Sequence, residues 1–280
     1  MRQETRYATT YKQSADTLKL EHLLYEKKGH VAYVTINRPE RLNALHTYAH
    51  QELNAVWKDI QRDTNIYVAI LTGKGRAFCA GRDVKFLSEF QQKGELAPHE
   101  DPNNPAFNWG GGGQPRVANL EKPVIAAING LAVGVGCNII MQCQLRVMAD
   151  DAWLGDQHTN VGRFGAPQEL FNNLPSATAN YLSLCNGRLT AQHAYSMGVV
   201  NVVCPKDKVV EEAEKLAAMV CAGSPLATQA IVRFSTLMQT HNHTLTEFAK
   251  HLDKEISDTE DCAEGALAFK EKRKPNWKVR

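Results

Sequence analysis

The sequence predicts an α/β protein, with a core of alternating strands and helices followed by a helical C-terminal part. A buried strand, a glycine-containing turn and a helix follow one another twice, and the turn ends once at Arg82 and once at Val135. From Asp207 to the end the sequence predicts only helices. Repeated strand–helix units before a helical end are typical of this fold class, and 280 residues are enough to bury a large core.

Composition and charge argue against several classes of protein. An apolar content of 43% and a charged content of 22% are those of an ordinary soluble globular chain. The net charge of +2 predicts no general attraction to nucleic acid or to a membrane surface. The seven cysteines are scattered and form no CxxC pair, so we expect reduced thiols in a cytoplasmic protein and no metal site.

The N-terminal residues 1–19 lack the apolar central region that a secretory signal requires. We expect a loosely ordered arm there and no membrane span anywhere in the chain. Both expectations agree with a cytoplasmic location.

The first ninety residues predict two short strands, a helix, a third strand and a second helix. Lys27–His30 separates the first two strands and indicates a hairpin. Thr47 is the predicted cap of the first helix, whose apolar residues recur at helical spacing. The predicted elements are Leu20–Tyr25, Val31–Ile36, Tyr48–Arg62, Tyr67–Leu71 and Val84–Gln92.

A long polar insertion follows the second predicted helix. Gly94–Gln114 is rich in proline and glycine and contains a run of four glycines. Loops of this length without secondary structure are usually functional or disordered. We therefore expect either a flexible loop or a lid beside the site.

The second half of the chain is organised around Lys122–Asn138. Its apolar run Val124–Ile128 predicts a strand buried on both faces, and an apolar stretch from Cys137 to Met141 can form a helix after the glycine-rich turn. Beyond it we predict strands at Arg146–Ala149, Ala152–Leu154 and Val199–Val203, and helices at Pro167–Leu174, Ala177–Asn186, Val209–Ala222, Pro225–Thr240, Thr244–Ser257 and Asp261–Lys270.

The two glycine-rich turns indicate a site that stabilises a negatively charged oxygen. The first amides of a helix have no partner inside the helix and carry the positive end of its dipole. Glycines let a substrate oxygen approach the backbone closely. One such turn is a weak signal, because many only pack a helix on a strand, but Arg76–Lys85 and Lys122–Asn138 are built in the same way.

Five stretches of the chain match a known family in the family's order. They are Thr35–Leu45, Val68–Lys85, Pro123–Cys137, Leu189–Val203 and Glu264–Trp277. Over about residues 20–280 the chain resembles the crotonase superfamily, the enoyl-CoA hydratase/isomerase family. The resemblance implies a crotonase fold, in which residues 20–205 form a spiral of ββα units with two roughly perpendicular sheets. It also implies a C-terminal helical region, residues 206–280, that forms a homotrimer or a dimer of trimers.

The resemblance also implies an acyl-CoA substrate and no cofactor beyond the coenzyme A that the substrate carries. In this family two backbone N–H groups bind the thioester oxygen, and the matching residues here are Arg82 and Val135. The coenzyme A contacts of the family match Arg41, Ala80, Lys85 and, in the basic tail, Lys274. That tail is either a phosphate-binding segment or an ordinary solvated run of charge.

The catalytic side chains depart from the family pattern. Hydratases carry two glutamates that share a water, and the matching positions hold Asn138 and His158. Asparagine cannot act as a base but can hold a water or the substrate by hydrogen bonds. Histidine can act as base or acid near neutral pH. Asp156, two residues earlier, either orients His158 or is an ordinary turn aspartate.

Two further candidates come from a branch of the superfamily that cleaves C–C bonds of β-diketones. That branch resembles this chain in having histidines at the positions of His50 and His158. It also has an aspartate that matches about Pro167 here, so the nearby Glu169 is a weaker candidate. His46 and His50 lie four residues apart, and we expect them either on the surface of the first helix or beside the acyl pocket.

Three functional hypotheses follow. The first is an acyl-CoA hydratase or isomerase that uses a histidine, and the second is a hydrolase that cleaves a C–C bond of a β-keto acyl-CoA. The third is a non-catalytic protein that binds coenzyme A or acts as a scaffold, since some crotonase-fold proteins lack the glutamates. One such branch binds RNA, but the low net charge and the lack of interleaved basic and aromatic residues argue against RNA here.

Overall fold

A computed structural model of the protein describes residues 19–94, 117, 120–165, 167–240, 254 and 257–276. The predicted arm at 1–19, the insertion at 94–118 and the predicted helix Thr244–Ser257 lie wholly or almost wholly outside these residues. The strands are β1 Leu23–Lys28, β2 Val31–Ile36, β3 Val68–Gly73, β4 Ala77–Cys79, β5 Val124–Ile128, β6 Leu131–Val133, β7 Leu145–Ala149, β8 Trp153–Gly155, β9 Leu189–Thr190 and β10 Val202–Cys204. The helices are α1 Thr47–Arg62, α2 Val84–Gln92, α3 Val135–Gln142, α4 Gln168–Asn173, α5 Ser176–Leu184, α6 Ala191–Ser196, α7 Val209–Cys221, α8 Pro225–Thr240 and α9 Glu260–Glu271.

The strands of the described residues form two sheets. The larger has the order β1-β2-β3-β5-β7-β10 and the smaller has the order β4-β6-β8-β9. Within the larger sheet only the β1–β2 pair is antiparallel, as in a hairpin. The chain adds one strand to the larger sheet, one to the smaller sheet and then a helix, three times in succession from β3 to α4. This is the repeating ββα unit that the resemblance implies.

The central strands of the larger sheet are apolar because both of their faces are covered. Every residue of β5 is buried, and in β3 only Thr72 is partly exposed. Helix α7 packs across β3, β5 and β7. The continuous apolar run Val124–Ile128 is therefore a doubly covered parallel strand, as predicted.

Several element boundaries were predicted correctly and others were wrong. Val31–Ile36 and Pro225–Thr240 agree with the structure residue for residue. The first strand begins at Leu23 instead of Leu20. The last strand begins at Val202 instead of Val199, because the N–H groups of Val199 and Val200 donate to the carbonyl of Ala194 at the end of α6. The sequence analysis missed β4, β6, β9 and α6, which have only two to six residues each.

The prediction that Thr47 caps α1 is also wrong, because the cap is the residue before it. The side chain of His46 accepts a hydrogen bond from the backbone N–H of Ala49, at 3.1 Å, and Thr47 is already helical. An unprotonated imidazole nitrogen is a hydrogen-bond acceptor, so it can cap a helix as serine or aspartate usually does.

A buried ion pair joins the loop before α1 to the turn before α2. Arg38 Nη2 lies 2.9 Å from Asp83 Oδ2, and the two side chains are 9% and 7% exposed. Arg38 also donates to the carbonyl of Ala44, while Asp83 Oδ1 accepts from the N–H of Phe86 at 3.2 Å and so caps α2. Each charge is thus paired and hydrogen-bonded, which a buried charge requires.

Replacing Arg38 by methionine is expected to lower the free energy of unfolding by about 3–5 kcal/mol, because Asp83 would keep its buried charge without a partner. Urea unfolding at pH 7 measures the loss. The double variant Arg38→Met/Asp83→Asn removes that charge and keeps the oxygen that caps α2, so it should regain a large part of the stability. Equal losses in the two variants would show that the unpaired carboxylate is not the cause.

Candidate active site

The two strand-to-helix turns lie in direct backbone contact. Gly81 has a φ of +90°, and a Cβ built there would lie 2.8 Å from the carbonyl oxygen of Val133 and 3.6 Å from the nitrogen of Val135. A Cβ on Gly136 would lie 2.4 Å from the carbonyl oxygen of Cys79. No larger residue fits at either point, so the two glycines bring the backbone just before Arg82 up to the start of α3.

The first residue of α3 is Val135, and its N–H lies at the positive end of the helix. Gly134 is the N-cap, has a φ of 53° and offers no side chain to cap the first amides. On the opposite turn, Leu45 N–H donates to Gly81 at 2.8 Å and Leu45 accepts from Asp83 N–H at 2.9 Å, which fixes the backbone on both sides of Arg82. The two candidate oxyanion residues are therefore neighbours on rigid backbone.

His158 lies against the same turn. Its Nδ1 is hydrogen-bonded to the carboxylate of Asp156, whose side chain is only 2% exposed. A Cβ built on Gly134 would lie 3.3 Å from Nε2 of His158, and a Cβ built on Gly165 would lie 2.2 Å from Nδ1 of the same ring. The imidazole is thus held between two glycines, with Nε2 beside the residue that precedes Val135.

The loop that carries His158 is fixed by contacts on both sides. Gln157 has a φ of 63°, which is rare for a residue with a side chain, and its Nε2 donates to the carbonyl of Asn186 at 2.6 Å. Helix α9 packs on the following turn, where a Cβ on Gly265 would lie 2.5 Å from the carbonyl carbon of Val161. The C-terminal helix therefore supports the position of His158.

Asn138 lies one turn into α3. Its N–H donates to the carbonyl of Gly134 at 2.9 Å, and the residue is 5% exposed. Its Oδ1 is buried and has no hydrogen-bond partner among the residues that the structure describes. A buried acceptor of this kind is uncommon and makes Asn138 a candidate for binding a water or a substrate group.

The interpretation of His46 and His50 as surface residues of α1 is wrong. His46 is 9% exposed and His50 is 4% exposed. Both line a small pocket with Arg82 and Phe86, with a volume of about 10 Å³, which is about the space that one water molecule needs. Burial, and then the nearby Arg38 guanidinium, lower the pKa of His46 to about 4, so its imidazole is neutral at physiological pH.

Glu169 lies on α4 and contacts the end of α3. It is in the first turn of α4, after Pro167 at the N-cap, and its Oε1 accepts a hydrogen bond from Nε2 of Gln142 at 3.3 Å. Gln142 is one turn beyond Asn138. The sequence analysis missed Gln142, although its spacing of four residues from Asn138 is a signal that the two share a face.

The candidate coenzyme A contacts lie in the loop before α1, in the turn before α2, on α2 and in the C-terminal tail. The N–H of Ala80 donates to the carbonyl of Leu42 at 2.9 Å, which joins the turn before Arg82 to the loop of Arg41. Arg41 and Lys85 are exposed, and so is Lys274 in the tail. In the same tail, Arg273 is exposed and pairs with Glu264 at 2.6 Å and with Glu271 at 2.6 Å. The role of Lys274 stays a prediction.

Two other sequence predictions can be compared with the described residues. All seven cysteines are free thiols, of which Cys204 and Cys221 are partly buried, Cys185 is exposed and the other four are buried. No single helix of the described part is long and apolar enough to cross a membrane, and α7 with α8 reaches that length and hydropathy only as a pair bent by 110°.

Comparisons with known proteins agree on one family. A family profile described as enoyl-CoA hydratase/isomerase matches residues 26–280. The chain is 34% identical to a short-chain-enoyl-CoA hydratase of Clostridium acetobutylicum, over 92% of this chain and 97% of the other. It is 32% identical to a 2,3-dehydroadipyl-CoA hydratase of Escherichia coli, over 93% and 100%. The crystal structure of a carnitinyl-CoA hydratase from Mycobacterium avium superposes with a TM-score of 0.82 at 30% identity, over 94% and 100%, which confirms the predicted fold.

Proposed function

The chain belongs to the enoyl-CoA hydratase/isomerase family and acts on an acyl-CoA thioester, and from that premise we propose that it adds water or moves a proton with a histidine in place of the usual glutamates. The observation that carries this proposal is the position of His158. Its ring lies against Gly134, next to the Val135 N–H, and its far nitrogen is bonded to the buried Asp156.

The proposed oxyanion site consists of the N–H groups of Arg82 and Val135. When a nucleophile adds to C3 of an enoyl thioester, or a proton leaves C2, negative charge collects on the thioester oxygen. Fixed backbone donors stabilise that charge without reorganising, and a single donor of this kind contributes about 3–4 kcal/mol. Because the donors belong to the backbone, the unusual side chains of Arg82 and Val135 leave them in place.

His158 serves as both base and acid in the proposed reaction. In the hydration, Nε2 takes a proton from water while the water oxygen bonds to C3, and the imidazolium then gives that proton to C2. In the isomerisation, the same nitrogen moves a proton from C2 to C4. Asp156 holds the ring by Nδ1 and stabilises the imidazolium, and Asn138 holds the water or the acyl group by hydrogen bonds.

A hydrolase that cleaves a C–C bond of a β-keto acyl-CoA is the second candidate function. The observation that favours it is the burial of His50 in a pocket shared with Arg82. Water activated by a histidine would then attack the keto carbon and the enolate would leave into the oxyanion site. This alternative and the hydration both add one water, so only the structure of the product separates them.

The purified protein is expected to convert an acyl-CoA substrate in a panel of 2-enoyl, 3-enoyl, β-keto and cyclic β-keto acyl-CoAs, analysed by tandem mass spectrometry. A new hydroxyl identifies a hydratase, a shifted double bond an isomerase, and a new carboxylate or a shortened chain the hydrolase. Coenzyme A binding without turnover on any substrate would favour the non-catalytic hypothesis. With the converted substrate, His158→Ala should lower kcat by about a hundredfold or more, while Cys185→Ala, at an exposed thiol outside the site, should leave it unchanged.

Replacing Val135 by proline removes the oxyanion donor and leaves the other side chains of the site in place. Proline lacks the N–H but is favoured at the first position of a helix. We therefore expect α3 to form and kcat to fall by about a hundred- to a thousandfold. Val135→Ala keeps the N–H and should retain most of the activity. Similar losses in both variants would assign the effect to the shape of the pocket instead.

We also propose that the chain forms a homotrimer or a dimer of trimers through its helical C-terminal region. The supporting observation is a set of large apolar side chains exposed on α7 and α8, namely Met219, Leu226, Ile231 and Phe234, which are 67% to 76% exposed. Exposed apolar surface of this kind usually marks an interface. Light scattering should give three or six times the chain mass of 31.1 kDa, and Phe234→Asp should lower it. A monomeric mass for the wild type at micromolar concentration would refute the assembly.

A further inference from the structure

Two buried amide oxygens lie one turn apart on α3. Asn138 is 5% exposed and Gln142 is 7% exposed. Neither Asn138 Oδ1 nor Gln142 Oε1 has a hydrogen-bond partner among the described residues. Side chains four residues apart on a helix lie on one face, with their Cβ atoms about 6 Å apart. The two acceptors are therefore close enough for one small molecule to reach both.

Glu169 determines which end of the Gln142 amide is left without a partner. Gln142 Nε2 donates to Glu169 Oε1 at 3.3 Å. An ionised carboxylate only accepts hydrogen bonds, so the amide nitrogen must face Glu169 and the amide oxygen must face away from it. Helix α4 packs on α3 and carries Glu169 there, so this orientation is part of the fold.

Water fits these two acceptors better than other small donors do. A buried acceptor that lacks a donor costs free energy, and here two acceptors need one donor each. A water molecule has two O–H donors, whereas a hydroxyl group of a substrate has one. An ammonium ion has enough donors, but burying its charge costs more free energy than burying a neutral water molecule. Buried waters typically bind polar groups in this way.

We propose that a fixed water bridges Asn138 Oδ1 and Gln142 Oε1, and that Gln142 is a positioning residue for Asn138. With Oδ1 bound to this water, the amide group that Asn138 can offer to the reaction is its donor, Nδ2. Glu169 then acts through Gln142 rather than as a base. The expected effect on catalysis rests on the proposed function, whereas the presence of the bridging water does not.

The first test is a high-resolution crystal structure of the wild-type protein and of Gln142→Met. Methionine has nearly the same length as glutamine and no strong acceptor. We expect a water within hydrogen-bond distance of both oxygens in the wild type and no water there in Gln142→Met. A wild-type structure in which Asn138 and Gln142 bond directly, or in which no water touches both, would overturn the proposal even if the protein proved to have no activity.

The second test is kinetic and uses the substrate identified by product analysis. Gln142→Met should lower kcat by about tenfold, the effect of about one hydrogen bond, and leave KM nearly unchanged. The exchange Gln142→Glu/Glu169→Gln keeps an acceptor toward Asn138 and a donor between the two helices, so it should restore most of kcat.

A double-variant comparison separates positioning from a general structural role. In an Asn138→Ala background, Gln142→Met should have almost no further effect on kcat, because the residue it positions is gone. If Gln142→Met lowered kcat equally in both backgrounds, Gln142 would act independently of Asn138 and the positioning role would be wrong. If the wild type converted no substrate, the proposed function would fail, but the crystal structures would still show whether the bridging water is present.

Discussion

The site depends on a contact between two stretches of backbone that have no room for side chains. Gly81 lies against the carbonyl of Val133, and Gly136 lies against the carbonyl of Cys79. Because these contacts are backbone to backbone, the spacing between the two turns is fixed by the chain itself. The segments they join belong to β4, β6 and α3, so the smaller sheet sets the geometry at Arg82 and Val135.

Polar groups keep the loops around this contact in place. Asn43 has a φ of 57° and donates through Nδ2 to the carbonyls of Lys74 and Ala77, at 3.0 and 2.7 Å. Its Oδ1 accepts from the N–H of Arg38, whose guanidinium pairs with Asp83. These bonds link the loop before α1, the β3–β4 turn and the cap of α2. A substitution that removes any of these bonds is expected to shift the backbone at Arg82, although none of these side chains has a role in the proposed chemistry.

The sequence alone predicted what local patterns encode. The doubly buried strand Val124–Ile128 and the two glycine-rich turns were predicted correctly, because apolar runs and glycines act over a few residues. The strands β4 and β6 were missed, since three residues carry too little periodicity to be recognised. The burial of His50 and the contact of Gln142 with Glu169 could not be predicted, because they depend on how helices pack. The capping role of His46 was missed because histidine at an N-cap is unusual.

The roles proposed for His158 and Asn138 distribute charge in the site differently from a pair of glutamates. Two carboxylates that share a water must divide acid and base roles between them, since like charges a few ångströms apart cannot both ionise freely. In the proposed reaction a histidine hydrogen-bonded to a buried carboxylate avoids that conflict, because the carboxylate of Asp156 would stabilise the ring of His158 once it has taken a proton. An asparagine at position 138 adds no charge to compete with this exchange. The one negative charge of Asp156 would thus balance the one positive charge that His158 would carry when protonated.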